Sequence, residues 1–385
     1  MYILEEERKN GGGGLISMKI TDLEAIPIEI KQTMPFATHR ETMEARKYVI
    51  VRVYTDQGII GLGEASTIET WGESQTSSVY SINEIIRPII VGESPFHLET
   101  ILARMDQALE GCQYSKAGVE MALFDIMGKA VNKPVYDLIG GPYREWVPIS
   151  RSVGITDVEK MTDWALMLKE MGTSTIKIKT GISGDHDIEA VHAIRNVIGE
   201  ETSIKVDANT GWKVAKEAIR VLNAIEDCNI MLAEQPVRSW DLNGMAEVTK
   251  AVNIPIAADE SVWGPHDVIS IFEKRAADIL TIYLMKAGGI SRNREVACTA
   301  KAAGFSCLLG GMGEMGIGSA ANIHFAVAIP NLEYPADLHI PPFLLEDDII
   351  TEPLDYSENG VTAPKTPGLG VELDEEKVEK YRIDK

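Results

Sequence analysis

The 385-residue sequence predicts an α/β protein in which a small α+β domain precedes a barrel of parallel strands. After Pro148, short apolar strands alternate with amphipathic helices in eight successive units, which is typical of a (β/α)8-type barrel and not of a five- or six-stranded open sheet. Before Pro148, strand-like residues come first and helix-like residues follow. That order indicates a separate α+β domain.

The N-terminal domain is predicted over residues 18–145. Alternating apolar residues in KITDLEAIPIEI and KYVIVRVYTDQGIIGLGEAS predict strands, and TDQG predicts a hairpin turn between two of them. Apolar residues spaced three to four apart then predict helices between about residues 74 and 140. Residues 1–17 show no such period and contain GGGG, so we expect a disordered or wrongly assigned extension, with Met18 as the natural start.

The barrel is predicted over residues 146–342. The polar segment 343–385 cannot supply another strand–helix unit, and we expect it to pack back against the N-terminal domain. The predicted barrel strands are VPISRSV (147–153), TIKIKTG (175–181), SIKVDAN (203–209), IMLAEQP (230–236), IPIAADES (254–261), ILTIYLMKAGG (279–289), FSCLLGG (305–311) and LEYPADLH (332–339).

Composition narrows the class of partner. The formal net charge is −21, which disfavours nucleic acids and anionic membranes because the long-range field repels them. No run of about eighteen apolar residues predicts a membrane span, and the charged start MYILEEERKN does not resemble a signal peptide, so we expect a cytoplasmic protein. The cysteines form no CxxC pair and predict neither a zinc cluster nor a disulfide framework: Cys112, Cys228, Cys298 and Cys307.

Charged residues recur where five consecutive predicted strands end, at Lys179, Asp207, Glu234, Asp259 and Lys286. The intervals between them are 28, 27, 25 and 27 residues, or one strand–helix unit each. Because the C-terminal ends of barrel strands converge on one mouth, we expect these side chains to meet in a single site.

Three of these residues, Asp207, Glu234 and Asp259, are acids on neighbouring strands. Carboxylates so close together repel one another unless a cation lies among them. Ligation by oxygen alone suits Mg²⁺, with Mn²⁺ as the alternative, better than zinc. Any one acid alone could equally be a helix N-cap or an ion-pair partner, but three in register predict a metal site.

The lysines flank the acids. Lys177 and Lys179 are two residues apart on one strand, so both point to the same face, and Lys286 approaches from the other side. A neighbouring ammonium disfavours the charged form, so Lys177 could lower the pKa of Lys179 towards that of a useful base. A divalent ion with a lysine on each side suits removal of a proton α to a carboxylate through a metal-stabilised enolate. The alternative for Lys286 is a plain ion pair.

Other candidates surround this set. Asn209 shares a strand face with Asp207 and is expected beside the metal or its waters. Glu260 could orient a lysine or form an ion pair. Asp337 ends the eighth predicted strand as a general acid or substrate contact, and Glu314 is a weaker candidate of that kind. Two further residues are read as structural: Tyr283 and His339.

The stretch GMGEMG (311–316) matches the pattern G-x-G-x-x-G. A single match is weak support for a nucleotide site, and no early βαβ fingerprint accompanies it. We read it as a tight turn that lets the backbone approach a ligand at the barrel mouth.

The segments KIKTG, KVDANTGW, LAEQPV, IAADES and MKAGGI together resemble the enolase superfamily, in particular its muconate lactonizing enzyme branch within the mandelate racemase/muconate lactonizing enzyme family. The resemblance covers nearly all of the chain from Met18, including GLGEAS and TPGLGVELDEE. It implies a modified TIM barrel, (β/α)7β, with an α+β capping domain. It also implies an acid/base pair, Lys179 and Lys286, and three Mg²⁺ ligands, Asp207, Glu234 and Asp259.

In this family two loops of the capping domain close over the substrate. They correspond to PFATHRET (35–42) and TIETWGES (67–74), in which Trp71 is either a lid aromatic or a packed residue without substrate contact. Dipeptide epimerases carry D-x-D at the end of the eighth strand, where this chain has Asp337-Leu338-His339, and that departure argues against a standard dipeptide epimerase. An Asp at the position of the longer Glu of lactonizing enzymes leaves muconate itself open.

The resemblance implies a Mg²⁺-dependent isomerase that acts on a small carboxylic acid. Cycloisomerisation of a muconate-like acid is the first expectation. Racemisation or epimerisation of an amino-acid derivative comes second and syn-dehydration of a hydroxy acid third. A barrel that binds ligand without turnover is disfavoured by the intact lysines. We further expect a homo-oligomer.

Overall fold

The computed structural model describes residues 18–338 and 341–385. It contains a three-stranded antiparallel sheet near the N-terminus and a seven-stranded parallel sheet that curls into a barrel with helices around it. The predicted fold class, a modified barrel preceded by an α+β region, is confirmed.

The N-terminal sheet and its helices form a unit that we call the cap. Its strands are paired in chain order: β1 (Ile20–Ala37), β2 (Thr42–Thr55) and β3 (Ile60–Thr67). Its helices are α1 (Gln75–Tyr80), α2 (Arg87–Ile90), α3 (Leu98–Ala108), α4 (Gln113–Val131) and α5 (Val135–Leu138). The helix α4 is buried along most of its length because it lies directly on β3. A Cβ atom on Gly63 would stand 1.8 Å from the Gly118 carbonyl oxygen, so this close contact requires glycine.

The barrel strands are β5 (Arg151–Val153), β6 (Thr175–Lys179), β7 (Ser203–Asp207), β8 (Ile230–Glu234), β9 (Ile256–Ala258), β10 (Ile279–Ile282) and β11 (Ser306–Leu309). The helices that follow them are α6 (Val158–Glu170), α7 (Gly184–Ile198), α8 (Ala215–Ala224), α9 (Leu242–Ala251), α10 (Pro265–Lys274), α11 (Leu284–Ala287), α12 (Ile290–Ala302) and α13 (Gly316–Ala328). Side chains alternate along β6: Ile176 and Ile178 belong to the hydrophobic core, and Lys177 and Lys179 point into the barrel.

The first, sixth and eighth predicted strands differ from the structure. The sixth, predicted over residues 279–289, ends at Ile282, and Lys286 lies on the short helix α11 that follows it. Residues 147–153 divide into β5 and a separate strand, β4 (Trp146–Pro148), which pairs with β12 (Gly360–Thr362) outside the barrel. In place of the eighth strand, an irregular segment makes single bridges, from Leu332 to Cys307 and from Ala336 to Ile149. Pro335 explains the difference, since proline has no N–H for a continuous ladder. The segment still closes the barrel between β11 and β5. His339 lies outside the described residues.

The C-terminal segment contains α14 (Pro341–Leu344), β12 and α15 (Glu375–Tyr381). Several of its residues contact the cap. Arg382 bridges Ile28 on β1, and Glu375 forms an ion pair with Arg52 on β2 at 2.7 Å. Within the described part of the chain, no helix is both long and apolar enough to cross a lipid bilayer.

Two buried carboxylates of the cap bind helices of the barrel. Glu64 on β3 accepts hydrogen bonds from the backbone N–H groups of Met315 and Gly318, each at 2.8 Å, where α13 begins. Glu120 on α4 accepts from Ser291 at 3.1 Å and from Ile290, where α12 begins. Carboxyl oxygens are favourable at helix N-termini because they accept from N–H groups that have no partner within the helix. The two acids therefore dock the cap on the barrel.

Burial raises the pKa of Glu64 to about 8, although its hydrogen bonds oppose the shift. The folded protein therefore holds a proton that the unfolded chain loses near its ordinary pKa of 4.5. The unfolded state binds fewer protons between these values, so we expect the free energy of unfolding to fall as pH rises from 5 to 8, by at most about 1.4 kcal/mol per pH unit for this group. Urea denaturation at several pH values measures the slope.

Glu64→Gln should flatten this slope because the amide keeps an acceptor oxygen but cannot ionise. The matched control is Glu29→Gln, which changes an exposed carboxylate on β1 and should leave the slope as it is. Equal slopes in Glu64→Gln and the unmodified protein would contradict the prediction.

Candidate active site at the mouth of the barrel

The three predicted metal ligands meet at the mouth. Asp207 ends β7 and pairs in register with Glu234, which ends β8, and Asp259 directly follows β9. All three side chains are fully buried. One ammonium group lies between two of them, since Lys177 Nζ is 2.9 Å from Asp207 and 3.0 Å from Glu234. The strands therefore place three carboxylates in one row.

The electrostatics of this row suit a divalent cation. Burial, together with the charges of Asp207 and Asp259, holds the pKa of Glu234 well above its usual value although Lys177 opposes the shift. Burial also raises the pKa of Asp207, but Lys177 and Lys179 outweigh that effect and lower it to about 2. Crowded buried carboxylates with only oxygen donors fit a hard cation such as Mg²⁺.

A lysine stands at each end of the row. Lys179 Nζ donates to Asp207 at 2.6 Å and to Asn209 Oδ1 at 3.0 Å. Lys286 Nζ donates to the Asp259 carboxylate and, at 2.7 Å, to the Asp259 backbone carbonyl. Tyr283, read from the sequence as structural, donates its hydroxyl to Asp259 at 2.9 Å, so it contacts the row directly.

Lys177 lies deeper than its neighbour Lys179. Burial lowers the pKa of Lys177, but Asp207, Asp337 and Glu234 together outweigh burial and hold it well above the usual value. The side chain is only 2% exposed. This position suits a permanent cation that holds the carboxylates together.

Asp337 belongs to the same buried network. It accepts from Lys177 at 2.8 Å, from Lys205 and from the Ser150 hydroxyl. Burial alone would raise the pKa of Asp337, but the charges of Lys177 and Lys205 have the larger effect and hold it below its usual value. Asp337 therefore stays ionised. An ionised carboxylate held by two ammonium groups suits a structural ion pair better than the predicted general acid.

Lys205 was not among the sequence candidates, yet it is fully buried in the barrel. It stands two residues before Asp207 in SIKVDAN and therefore shares its strand face. The same i, i+2 spacing that pointed to Lys177 and Lys179 was present there.

A second network joins the site to the cap. Asn209 donates to Glu260 at 3.3 Å, and Glu260 forms an ion pair with Arg40 at 3.4 Å. Arg40 lies 5.0 Å from the Trp71 ring centre. Burial and the charge of Asp259 raise the pKa of Glu260 to about 8. Through this ion pair, Arg40 connects the PFATHRET loop to the barrel mouth.

A cavity lies between the cap loops and the mouth. Its walls include Arg40, Glu41 and Trp71 from the cap and Lys179, Asn209, Tyr283 and Met312 from the barrel. The Trp71 ring is centred 6.4 Å from the rings of Tyr283 and Trp263. Trp71 thus borders the space in which a substrate would lie.

Glu314 does not border this cavity. It is buried and accepts from its near neighbour Met312 N at 3.0 Å. GMGEMG forms a turn in which Gly313 has a φ of 76°, and its carbonyl accepts from the Tyr48 hydroxyl at 2.7 Å. Tyr48 thus connects this turn to the cap, and Gly311 forms part of the cavity wall.

Comparison with known proteins identifies the family. Residues 22–140 match the mandelate racemase / muconate lactonizing enzyme N-terminal domain, and residues 160–377 match the enolase C-terminal domain-like family. The protein is an isomerase with an enolase-type barrel. The chain belongs to the mandelate racemase / muconate lactonizing enzyme family of the enolase superfamily.

Similar proteins catalyse two kinds of isomerisation. The L-Ala-D/L-Glu epimerase of Bacillus subtilis is 36% identical over 92% of this chain and 97% of its own length. Muconate cycloisomerase 1 of Acinetobacter baylyi is 31% identical over 94% of this chain and 98% of its own. The predicted lactonizing branch is therefore only partly supported.

Solved structures of similar sequence have the same fold. The N-succinyl Arg/Lys racemase from Bacillus cereus has a TM-score of 0.91 at 32% identity, over 95% of this chain and 98% of its own. A dipeptide epimerase from Enterococcus faecalis, complexed with Mg and the dipeptide L-Leu-L-Tyr, has a TM-score of 0.88 at 32% identity, over 92% of this chain and 99% of its own.

Replacing Lys205 by alanine should lower the free energy of unfolding by about 3 kcal/mol, because Asp337 would keep a buried charge with one cation fewer. The control Arg220→Ala removes a surface cation paired with Asp185 and Glu217 and should lower the free energy of unfolding far less, because solvent screens these ion pairs. Urea denaturation measures both. Equal losses in the two variants would show that the buried network contributes little.

Proposed function

We propose that this isomerase moves a proton at the carbon α to a substrate carboxylate and thereby racemises or epimerises an amino-acid derivative. One observation carries the proposal: Lys179 and Lys286 contact opposite ends of the carboxylate row, at Asp207 and Asp259. A reaction that inverts one carbon needs a base on one face and an acid on the other.

The proposal includes Mg²⁺ held by Asp207, Glu234 and Asp259, with Mn²⁺ as the alternative. Support comes from the oxygen-only donor set and from the Mg in the Enterococcus faecalis epimerase. When bound, the cation supplies positive charge that stabilises the substrate carboxylate as the α proton leaves.

Each lysine has a defined task. The neutral amine of one lysine takes the α proton, and the ammonium of the other returns a proton to the opposite face. The carboxylates of Asp207 and Asp259 and the amide of Asn209 hold the two Nζ atoms in place. Arg40 and Trp71 border the cavity and are placed to contact the part of the substrate beyond its carboxylate. A substrate that fills the cavity would exclude water from the reacting atoms.

A second candidate is cycloisomerisation of a muconate-like acid, the first expectation from the sequence. One observation favours it: Lys179 borders the cavity, whereas Lys286 is not among its walls and lies 4.3 Å from the Tyr283 ring centre. Cycloisomerisation needs a single proton donor, which Lys179 would supply.

The experiment incubates the Mg²⁺-loaded protein in D₂O with N-acyl amino acids, dipeptides of both configurations and cis,cis-muconate. Mass spectrometry follows α-deuterium, and chiral chromatography follows configuration. We expect deuterium uptake with inversion in an amino-acid derivative. Loss of the muconate diene absorbance, without exchange in any amino-acid derivative, would establish the second candidate.

Lys179→Ala and Lys286→Ala should each lower turnover by about 10²–10⁴-fold, because each removes one partner of the proton transfer. Each variant keeps one lysine and should therefore still exchange the α proton of one enantiomer without inverting it. The enantiomer that exchanges should differ between Lys179→Ala and Lys286→Ala. The matched control is Lys216→Ala, an exposed lysine of α8. Full activity in Lys286→Ala would rule out the two-base reaction.

A further inference from the structure

Three potential metal ligands lie together away from the mouth. His192 is on α7, and Asp227 and Cys228 belong to the 3-10 turn Glu226–Cys228 that precedes β8. A ring nitrogen, the Cys228 Sγ and a carboxylate oxygen lie within 4.8 Å of one another. The cysteine spacing predicted no zinc cluster, because the fold and not a CxxC motif brings these residues together.

Hydrogen bonding sets the tautomer of His192. Its Nε2 lies 3.0 Å from the Ala224 backbone carbonyl, which has only acceptor capacity, so Nε2 carries the proton. Nδ1 is then the nitrogen with a free lone pair, and it lies 3.2 Å from Cys228 Sγ. Metal-binding histidines commonly donate their other N–H to a backbone carbonyl in this way.

The cysteine is held rigidly. Its amide donates to the Ile225 carbonyl at 3.0 Å, and its own carbonyl accepts from Arg195 Nε at 2.8 Å. Burial and the charge of Asp227 raise the pKa of the Cys228 thiol to about 11, so the thiol keeps its proton and donates it to His192 Nδ1 at 3.2 Å. A cation that takes the place of this proton would find sulfur and nitrogen already aligned.

We propose that His192, Asp227 and Cys228 bind one transition-metal ion of the zinc class. With Zn–S near 2.3 Å and Zn–N and Zn–O near 2.0 Å, tetrahedral ligands lie about 3.3–3.6 Å apart. The Cys228 Sγ is 3.2 Å from His192 Nδ1 and 3.8 Å from Asp227 Oδ1, close to this spacing. A water completes the four ligands. Thiolate and carboxylate together balance the two positive charges of the ion.

This site differs in chemistry and place from the mouth. Sulfur and imidazole select zinc-class ions, whereas the carboxylate row suits Mg²⁺. His192 and Asp227 are partly exposed, so an ion can enter from solvent. The site joins α7 to the start of β8, and Glu234 lies at the other end of that strand. Its effect is therefore on the stability of the barrel wall, independent of the proposed reaction.

The test titrates the full chain with Cd²⁺, a spectroscopic substitute for Zn²⁺, in excess Mg²⁺. We expect one equivalent to bind, an ultraviolet thiolate-to-metal charge-transfer band to appear and about one proton per ion to be released, since the thiol must ionise. Zn²⁺ should displace the Cd²⁺ and raise the melting temperature.

Cys228→Ser should abolish the band, and His192→Gln should weaken binding at least about tenfold. The matched control is Cys298→Ser, an exposed cysteine on α12 that should retain both band and affinity. If Cys228→Ser does not fold, the more exposed His192→Gln and Asp227→Asn decide. A band that survives Cys228→Ser, is lost in Cys298→Ser, or appears without proton release would overturn the proposal.

Discussion

The structure depends on keeping several like charges buried at the ends of neighbouring strands. Asp207, Glu234 and Asp259 repel one another in a space without solvent, and such an arrangement is stable only with positive charge close by. Lys177 supplies part of it from within the barrel, and Lys179 and Lys286 supply more from the two ends. Two of these cations, Lys179 and Lys286, are also the groups that we propose for proton transfer.

Below the carboxylate row, Asp337 and Lys205 form a second buried ion pair. Both side chains are almost completely shielded from solvent. Asp337 comes from the irregular segment that closes the barrel, and Lys205 from β7. Their ion pair therefore connects the segment that closes the barrel to β7 across the interior. A barrel interior is usually filled by branched apolar residues. Here a network of charged side chains occupies part of that space, directly below the carboxylate row.

Much of this site could be predicted from the sequence because it repeats with the strand–helix unit. The even spacing from Lys179 to Lys286 survives folding, since each unit places the end of its strand at the same mouth. Lys286 reaches that mouth from α11, just after its strand has ended. Contacts across the barrel carry no such period. Lys205 and Asp337 are 132 residues apart, and the pairing of His192 with Cys228 depends on how α7 packs beside the next unit. Pro335 was a visible signal against a regular eighth strand, since proline has no N–H to donate. The cap residues that line the cavity, Arg40 and Trp71 among them, lie on loops whose positions no local pattern specifies.

The carboxylates with which the cap binds the first turns of α12 and α13 have a consequence for how the molecule behaves as a whole. Glu64 and Glu120 accept hydrogen bonds from N–H groups in those turns, and they belong to a different part of the chain. Separated from the cap, the barrel would leave these donors without partners, and the cap would expose the face of α4 that packs against α11, α12 and α13. We therefore expect neither part to be stable alone. Cap and barrel should therefore fold and unfold as one cooperative unit, and a recombined protein with a foreign cap would need acids at the same two positions.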